Sequence, residues 1–395
     1  MLARKPLSVL TTALVLSVSV LAACSGERDS LSELEGERTP SVERSVGFDG
    51  NVVRLGVIAD ITGPGGTLDR ARLTGVETYW SDVNTQGGLG GRYVVELDIL
   101  DHRGDPQIAE QAAPDLLGKV VALTFVNETA TGAVHPFLVA EQALGVVPTS
   151  TLDWETDPRF LTHVPPIEAV VLALFENQPS PNWCVITDGS PIGIATRNAS
   201  MRAAEVAQAQ NVTLIEVGED LNSATSAVAC GKVLVEVAGD FQIEAIDSLP
   251  ANREIYVRAG SAAAMERTDL QFAYLDSGPA WNVDSSEGMR LLLAALLRHA
   301  PDVQPDTRVR DGYVSQIRLH QLLEQAVAEG DLRRPTLFAA SESQAGIDML
   351  GLAEQRLQPR SFNIWFSDNQ GEVSDQRGWQ LEGQLATENV DALTN

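Results

Sequence analysis

The chemistry open to this chain rests on hydroxyls, acids, arginines and three cysteines. The run Asn127-Glu128-Thr129-Ala130-Thr131-Gly132 sets two hydroxyls just before a stretch with helical spacing. Hydroxyls and unpaired backbone N–H groups at a helix start suit an anion, because the helix dipole leaves partial positive charge there. The same hydroxyls are also ordinary helix caps. Asp276 closes the apolar run Phe272 to Leu275 and precedes Ser277-Gly278. It is either a carboxylate for a cation or a turn aspartate. Arg258 follows Glu254 to Val257 and is either an anion partner facing a cleft or a solvated surface arginine. His102, His135, His163, His299 and His320 show no metal-ligand spacing, and no serine sits in a nucleophile elbow. No catalytic residue, metal or cofactor is expected.

The cysteines divide by position. Arg4 and Lys5 precede an apolar stretch, Leu7 to Val20, that ends in Leu21-Ala22-Ala23-Cys24. A charged start, an apolar middle and small residues before a cysteine form a lipoprotein signal, after which the thiol carries lipid such as palmitate. The alternative, an uncleaved membrane span, needs about 20 apolar residues. Residues 1–23 are thus expected to be a signal peptide and Cys24 the lipidation site. That places the chain on the outer face of the cytoplasmic membrane, periplasmic or extracellular. Export permits disulfides. Cys184 and Cys230 remain as an even pair, either bridged or left as buried thiols. A bridge would close a loop worth about 4 kcal/mol of unfolded-state entropy.

The elements that position these residues alternate. The chain has 395 residues, enough for two lobes of ordinary size. Residues 24–50 are polar and read as a flexible tether. Val52 to Ala59 is a β-branched run typical of a strand buried on both faces. Leu73, Val76, Trp80 and Val83 recur at helical spacing, and a glycine turn, Gly87 to Gly91, ends that helix. Strands at Tyr93 to Leu100 and Val120 to Val126 alternate with helices at Pro106 to Leu117 and Gly132 to Leu144. A second series runs from Ile167, with strands at Trp183 to Thr187, Val212 to Val217, Ile255 to Val257 and Phe272 to Leu275. Lys232 to Val237 reads equally as helix or strand. Helices follow at Met289 to His299 and Ser315 to Ala328, then a hairpin, Phe362 to Phe366 with its turn at Ser367 to Glu372. Such alternation gives a doubly wound sheet, whose ligands sit beyond the carboxyl ends of the strands. The net charge of −26 and pI near 4.5 argue against nucleic acid as a partner.

Three motifs in order carry a resemblance. Val53-Arg54-Leu55-Gly56-Val57-Ile58-Ala59-Asp60-Ile61-Thr62-Gly63-Pro64, Val83-Asn84-Thr85-Gln86-Gly87-Gly88-Leu89-Gly90-Gly91-Arg92 and Asp101-His102-Arg103-Gly104-Asp105-Pro106 resemble the type I periplasmic binding proteins, in particular the branched-chain amino acid receptors of ABC transporters. Asp311-Gly312-Tyr313 resembles them again. The resemblance implies an α/β fold of two doubly wound parallel-sheet lobes joined by three crossings. Residues 51–163 and 286–375 would form the N-terminal lobe, and 164–285 with 376–395 the C-terminal lobe.

The resemblance also implies a role: trapping an amino acid or related small polar solute between closing lobes and presenting it to an ABC permease in the membrane. A sensor domain for a signalling partner and a non-binding envelope interaction protein are the alternatives, since fold alone does not fix function. Thr131 stands where the family sets a serine on the ligand carboxylate, and Thr149-Ser150-Thr151 resembles its second ligand loop. Asp276 falls near its acidic group for the ammonium. Thr62 and Thr129 complete the expected binding set. Ile192 departs from the family, which often has tyrosine there.

Overall fold

The computed structural model describes residues 41–148, 151–209, 211–218, 230–237, 245–258, 271–276, 286–304, 306–343, 348–353, 361–367 and 379–387. The signal segment, Cys24, most of the tether, Thr149, Ser150 and the hairpin turn after Ser367 lie outside these residues. In chain order the first lobe opens with β1 (Val52–Ala59), α1 (Gly66–Thr85), β2 (Val94–Asp101), α2 (Pro106–Leu117), β3 (Leu123–Phe125), α3 (Thr131–Glu141), β4 (Gly145–Val146), α4 (Leu152–Glu155) and β5 (Phe160–Leu161). Then come α5 (Ile167–Asn177), β6 (Trp183–Thr187), α6 (Pro191–Val206), β7 (Val212–Glu216), β8 (Lys232–Glu236), β9 (Glu254–Arg258) and β10 (Gln271–Asp276). The chain continues with α7 (Glu287–His299), α8 (Thr307–Glu329), α9 (Arg334–Ser343), β11 (Ser361–Ser367) and β12 (Trp379–Ala386).

The strands form two sheets. The first has the order β2-β1-β3-β4-β5 and is parallel throughout. Its faces follow the two-residue period of a strand. Val53, Leu55, Val57 and Ala59 pack with α1, α7 and α8, while Ile58 faces α2 and α3. The second sheet has the order β12-β11-β10-β9-β8-β6-β7. Cys184, Ile186, Val233, Val235, Ile255 and Val257 line one face. Trp183, Val185, Leu234 and Tyr256 line the other, against α5 and α6. Lys232–Glu236 is a strand, paired in parallel with both β6 and β9. The Cys184–Cys230 disulfide is formed, with Cα atoms 5.7 Å apart.

The chain passes between the sheets three times: from β5 to α5, from β10 to α7, and from α9 to β11. One expectation changes. Ser361–Ser367 was grouped with the first lobe, but β11 pairs antiparallel with β10 and β12 and belongs to the second sheet. The last crossing therefore precedes residue 361. Its antiparallel pairing explains the difference, because an antiparallel strand leaves no βαβ pattern to read. The expected hairpin is present as β11 and β12, paired antiparallel, while α4, β5 and α9 were not anticipated. β5 has only two residues.

One contact fixes the first lobe. α1 and α8 cross so closely that a Cβ on Gly75 would overlap the Val309 carbonyl oxygen, and one on Gly312 would overlap that of Arg72. Trp80 Nε1 donates to Gln316 Oε1 at 2.9 Å across the same interface, and Tyr79 Oη meets His320 Nδ1 at 2.8 Å. Gly312→Ala should lower the unfolding free energy by about 1–3 kcal/mol, the usual cost of overpacking. Urea unfolding of the variant measures this, and an unchanged midpoint would contradict the crossing as described.

Candidate ligand-binding site

The carboxyl ends of β1, β2 and β3 are tied together by a buried polar knot. The Asp60 carboxylate accepts from Gly63 N at 2.6 Å and Gly65 N at 2.7 Å, shaping the first loop. The Asp60 N–H donates to Asp69 Oδ2 at 2.7 Å. Asn127 Nδ2 donates to the same Asp69 oxygen and lies 3.3 Å from His102 Nε2. Burial raises the Asp69 pKa to about 6, against the opposing pull of Arg72. Gly63 has no room for a side chain, since a Cβ there would strike the Arg103 backbone.

α3 starts from this knot without a cap. Ala130 occupies the N-cap position and no side chain accepts from the first turn. The Thr131 hydroxyl is fully buried and has no hydrogen-bond partner among the described residues. It therefore does not cap, and the first-turn amides of Gly132 and Ala133 have no intrahelical acceptor. Thr129 is half-buried, and its N–H donates to Asn127 Oδ1 at 2.9 Å.

A small recess at the end of β3 is lined by Arg72, Thr124, Val126, Pro148, Asp311 and Ser315. The Gly75–Gly312 crossing brings Arg72 and Asp311 here. Arg310, 1% exposed, pairs with Asp311 through Nη2–Oδ1 at 2.8 Å. His163 stands on the first crossing, buried, and neither ring nitrogen forms a hydrogen bond among the described residues. Burial lowers its pKa to about 4, and Arg310 and Arg72 add to that against the pull of Asp311.

The second lobe presents its own strand ends. Ser190 caps α6 by accepting from Gly193 N at 3.1 Å. Ile192 is buried in the core beneath α6 and contributes no wall to the cleft. Glu236 and Arg258, at the ends of β8 and β9, form a two-pronged ion pair. Arg258 Nη2 lies 2.6 Å from Glu236 Oε1, and Nε donates to Oε2. Glu236 is 4% exposed. Arg258 is thus a paired, largely buried group rather than a solvated surface arginine. Asp276 ends β10 one residue beyond Leu275, the register partner of Arg258; its side chain lies outside the described residues.

The expected binding residues separate by geometry. Thr131 stands at the uncapped helix start, with Thr129 beside it. The Thr62 hydroxyl donates to Asp101 Oδ2 at 2.6 Å and ties the first loop to β2. Thr151 caps α4, accepting from Trp154 N at 3.3 Å. Sequence reasoning missed Asp69, Arg72, His163, Glu236 and Asp311. Glu236 carried one usable signal, a charged residue closing a β-branched run. Among the described residues no three His, Cys, Asp or Glu side chains converge on a metal-sized site.

Comparison with known proteins gives a consistent picture. The sequence model of the periplasmic binding protein family matches residues 52–230. The Leu/Ile/Val-binding protein BraC3 of Rhizobium johnstonii is 23% identical over 206 residues, covering 49% of this chain and 55% of that protein. The chain thus spans about half the length of that curated relative. Among solved structures, a fatty acid ABC transporter substrate-binding protein from Thermomonospora curvata superposes with a TM-score of 0.76 at 18% identity, over 89% of this chain and 96% of that one. An ABC transporter solute-binding protein from R. palustris in complex with benzoate gives 0.65 at 16% identity, over 85% and 97%. These likenesses establish the two-lobed type I periplasmic-binding fold.

His163 makes stability pH-dependent. The folded imidazole titrates near 4, below the 6.5 of a free one. As pH falls, the unfolded chain takes the proton first, so stability that is full above pH 6.5 is lost down to pH 4, by up to about 3 kcal/mol. His163→Gln should flatten this loss relative to the parent in urea unfolding at pH 7 and 4.5. Equal losses in both proteins would contradict it.

Proposed function

We infer that this chain, whose residues 52–230 belong to the periplasmic binding protein family, is the solute receptor of an ABC importer, trapping a small carboxylate-bearing solute of amino-acid type between its lobes. The observation that carries this reading is the buried, unpartnered Thr131 hydroxyl at the uncapped start of α3. A buried polar group without a partner costs about 1–3 kcal/mol. A ligand carboxylate would supply the missing acceptor, and the adjacent free amides and helix dipole favour that anion. The ligands named for the similar proteins share this chemistry, since leucine, fatty acids and benzoate all bear a carboxylate. Thr129 and the loop carrying Thr149, Ser150 and Thr151 would flank the same group, and Asp276 would approach from the second lobe on closure. Thr62 is assigned to loop shaping instead.

The fold and the matching family model are those of binding proteins, so the reading assigns a binding role without an enzymatic step. The lipobox ending at Cys24 supports attachment by lipid to the outer face of the cytoplasmic membrane, next to a permease. Among the described residues no helix is long and apolar enough to cross a membrane.

A thermal-shift screen of the purified protein against amino acids, fatty acids and aromatic acids tests the reading. A solute at about 100 times its Kd adds about 2.7 kcal/mol of stability. Thr131→Val, nearly the same shape without the hydroxyl, should leave the unliganded melting temperature level or higher and shrink the ligand shift. A variant that melts lower yet keeps the full shift would show a structural threonine instead.

A further inference from the structure

The second lobe carries a feature that the receptor reading leaves unused. β8 and β9 place three cross-strand pairs in successive rungs on one face. Lys232 meets Glu254 at 3.1 Å, Leu234 faces Tyr256, and Glu236 meets Arg258. The two charged pairs have opposite polarity. Lys232–Glu254 stands at the amino ends of the strands, where it fixes register. Glu236–Arg258 stands at the carboxyl ends, where parallel sheets bind ligands. Lys232–Glu254 already pins the register, and a buried ion pair adds little to stability.

The geometry at Arg258 suits an anion. Glu236 engages Nε and Nη2, which fixes the guanidinium plane. The Nη1 edge forms no hydrogen bond among the described residues. Burial alone would lower the Arg258 pKa, but Glu236, then Glu128 and Asp311 of the first lobe, outweigh it and raise it. The guanidinium is thus drawn by carboxylates of the first lobe as well as by Glu236. Asp311 is already matched by Arg310. Glu128 is the common neighbour of both anion-accepting groups, because its carbonyl accepts the Thr131 N–H at 3.1 Å and its carboxylate acts on Arg258.

We propose that Arg258 is a specificity-determining ligand residue that receives a second acid group, so that the receptor takes small dicarboxylates, acidic amino acids among them. This rests on the receptor reading, in which the start of α3 takes the first carboxylate. Glu128, between two anion sites, provides the acceptor for an ammonium. Ile192, buried in the core, offers no aromatic surface to an apolar side chain.

Calorimetry with the purified protein at pH 7 tests this, using glutamate, aspartate and succinate against their amides glutamine, asparagine and succinamate, with leucine and benzoate as neutral-tail controls. At least one diacid should bind tenfold or more tighter than its amide. The double variant E236Q/R258Q, which leaves no buried charge alone, should bind diacid and amide within twofold of each other. Amides, leucine or benzoate binding as tightly as the diacids would overturn the inference while leaving the receptor reading intact. A double variant that keeps the preference would overturn it equally. Binding of none of these solutes, with Thr131→Val silent as well, would overturn both readings. If the double variant does not fold, the diacid-to-amide ratio of the parent decides alone.

Discussion

The closest constraint in the molecule is the backbone crossing of α1 and α8 at Gly75 and Gly312. It joins α1 to a helix that begins more than two hundred residues later, with β6 to β10 of the second sheet in between. The first lobe is therefore discontinuous in sequence, and the chain must pass between the lobes three times. The same crossing carries Arg72 and Asp311 to the strand ends, where they face the recess and the first crossing at His163. Packing of this kind transmits position without flexibility, because interiors are as dense as organic crystals. A site built on it holds its groups in place.

Around the cleft, polar groups are buried at a cost that packing alone does not recover. In the first lobe that cost is met by pairing: Asp60 with loop amides, Asp69 with Asn127, Asp311 with Arg310. In the second lobe Glu236 and Arg258 satisfy each other. The Thr131 hydroxyl, like the His163 ring, finds no partner among the described residues, but it alone of the two stands at a helix start. A buried hydroxyl left unmet at an uncapped helix start, beside free first-turn amides, suits an anionic visitor. The acidic surface does not forbid an anionic one, because charges beyond about 8 Å are screened at physiological salt and the nearby arginines decide locally.

Much of the scaffold was legible in the sequence, for a physical reason. Strands buried on both faces read as β-branched runs, so Val52–Ala59 and Trp183–Thr187 stood out with their observed bounds. Asp105-Pro106 announced α2, since the aspartate caps and proline suits the first helical position. The glycine of Asp311-Gly312-Tyr313 was visible only as a family motif; its cause, a helix crossing, is a tertiary fact. Lys232–Glu236 stayed ambiguous because five apolar-rich residues fit either period. The site was less legible than the fold. Helix-start chemistry and the family resemblance both point to Thr131, which the structure places at the uncapped start of α3. Arg258 and Glu236 could not be joined, because their pairing depends on the order of β8 and β9 in the sheet. The place of β11 in the second sheet is hidden for the same reason: which strand it joins is set by topology that local pattern does not encode.

The central claim is that solute closes the two lobes on each other. Spin labels on exposed positions of opposite lobes, at Glu110→Cys on α2 and Met201→Cys on α6, allow the separation to be measured by pulsed dipolar spectroscopy. Saturating solute identified by binding should replace a broad distance distribution with a single one of changed mean, and removing the solute should restore the original. An unchanged distribution with solute bound would contradict closure and leave a rigid binding surface in place of a trap.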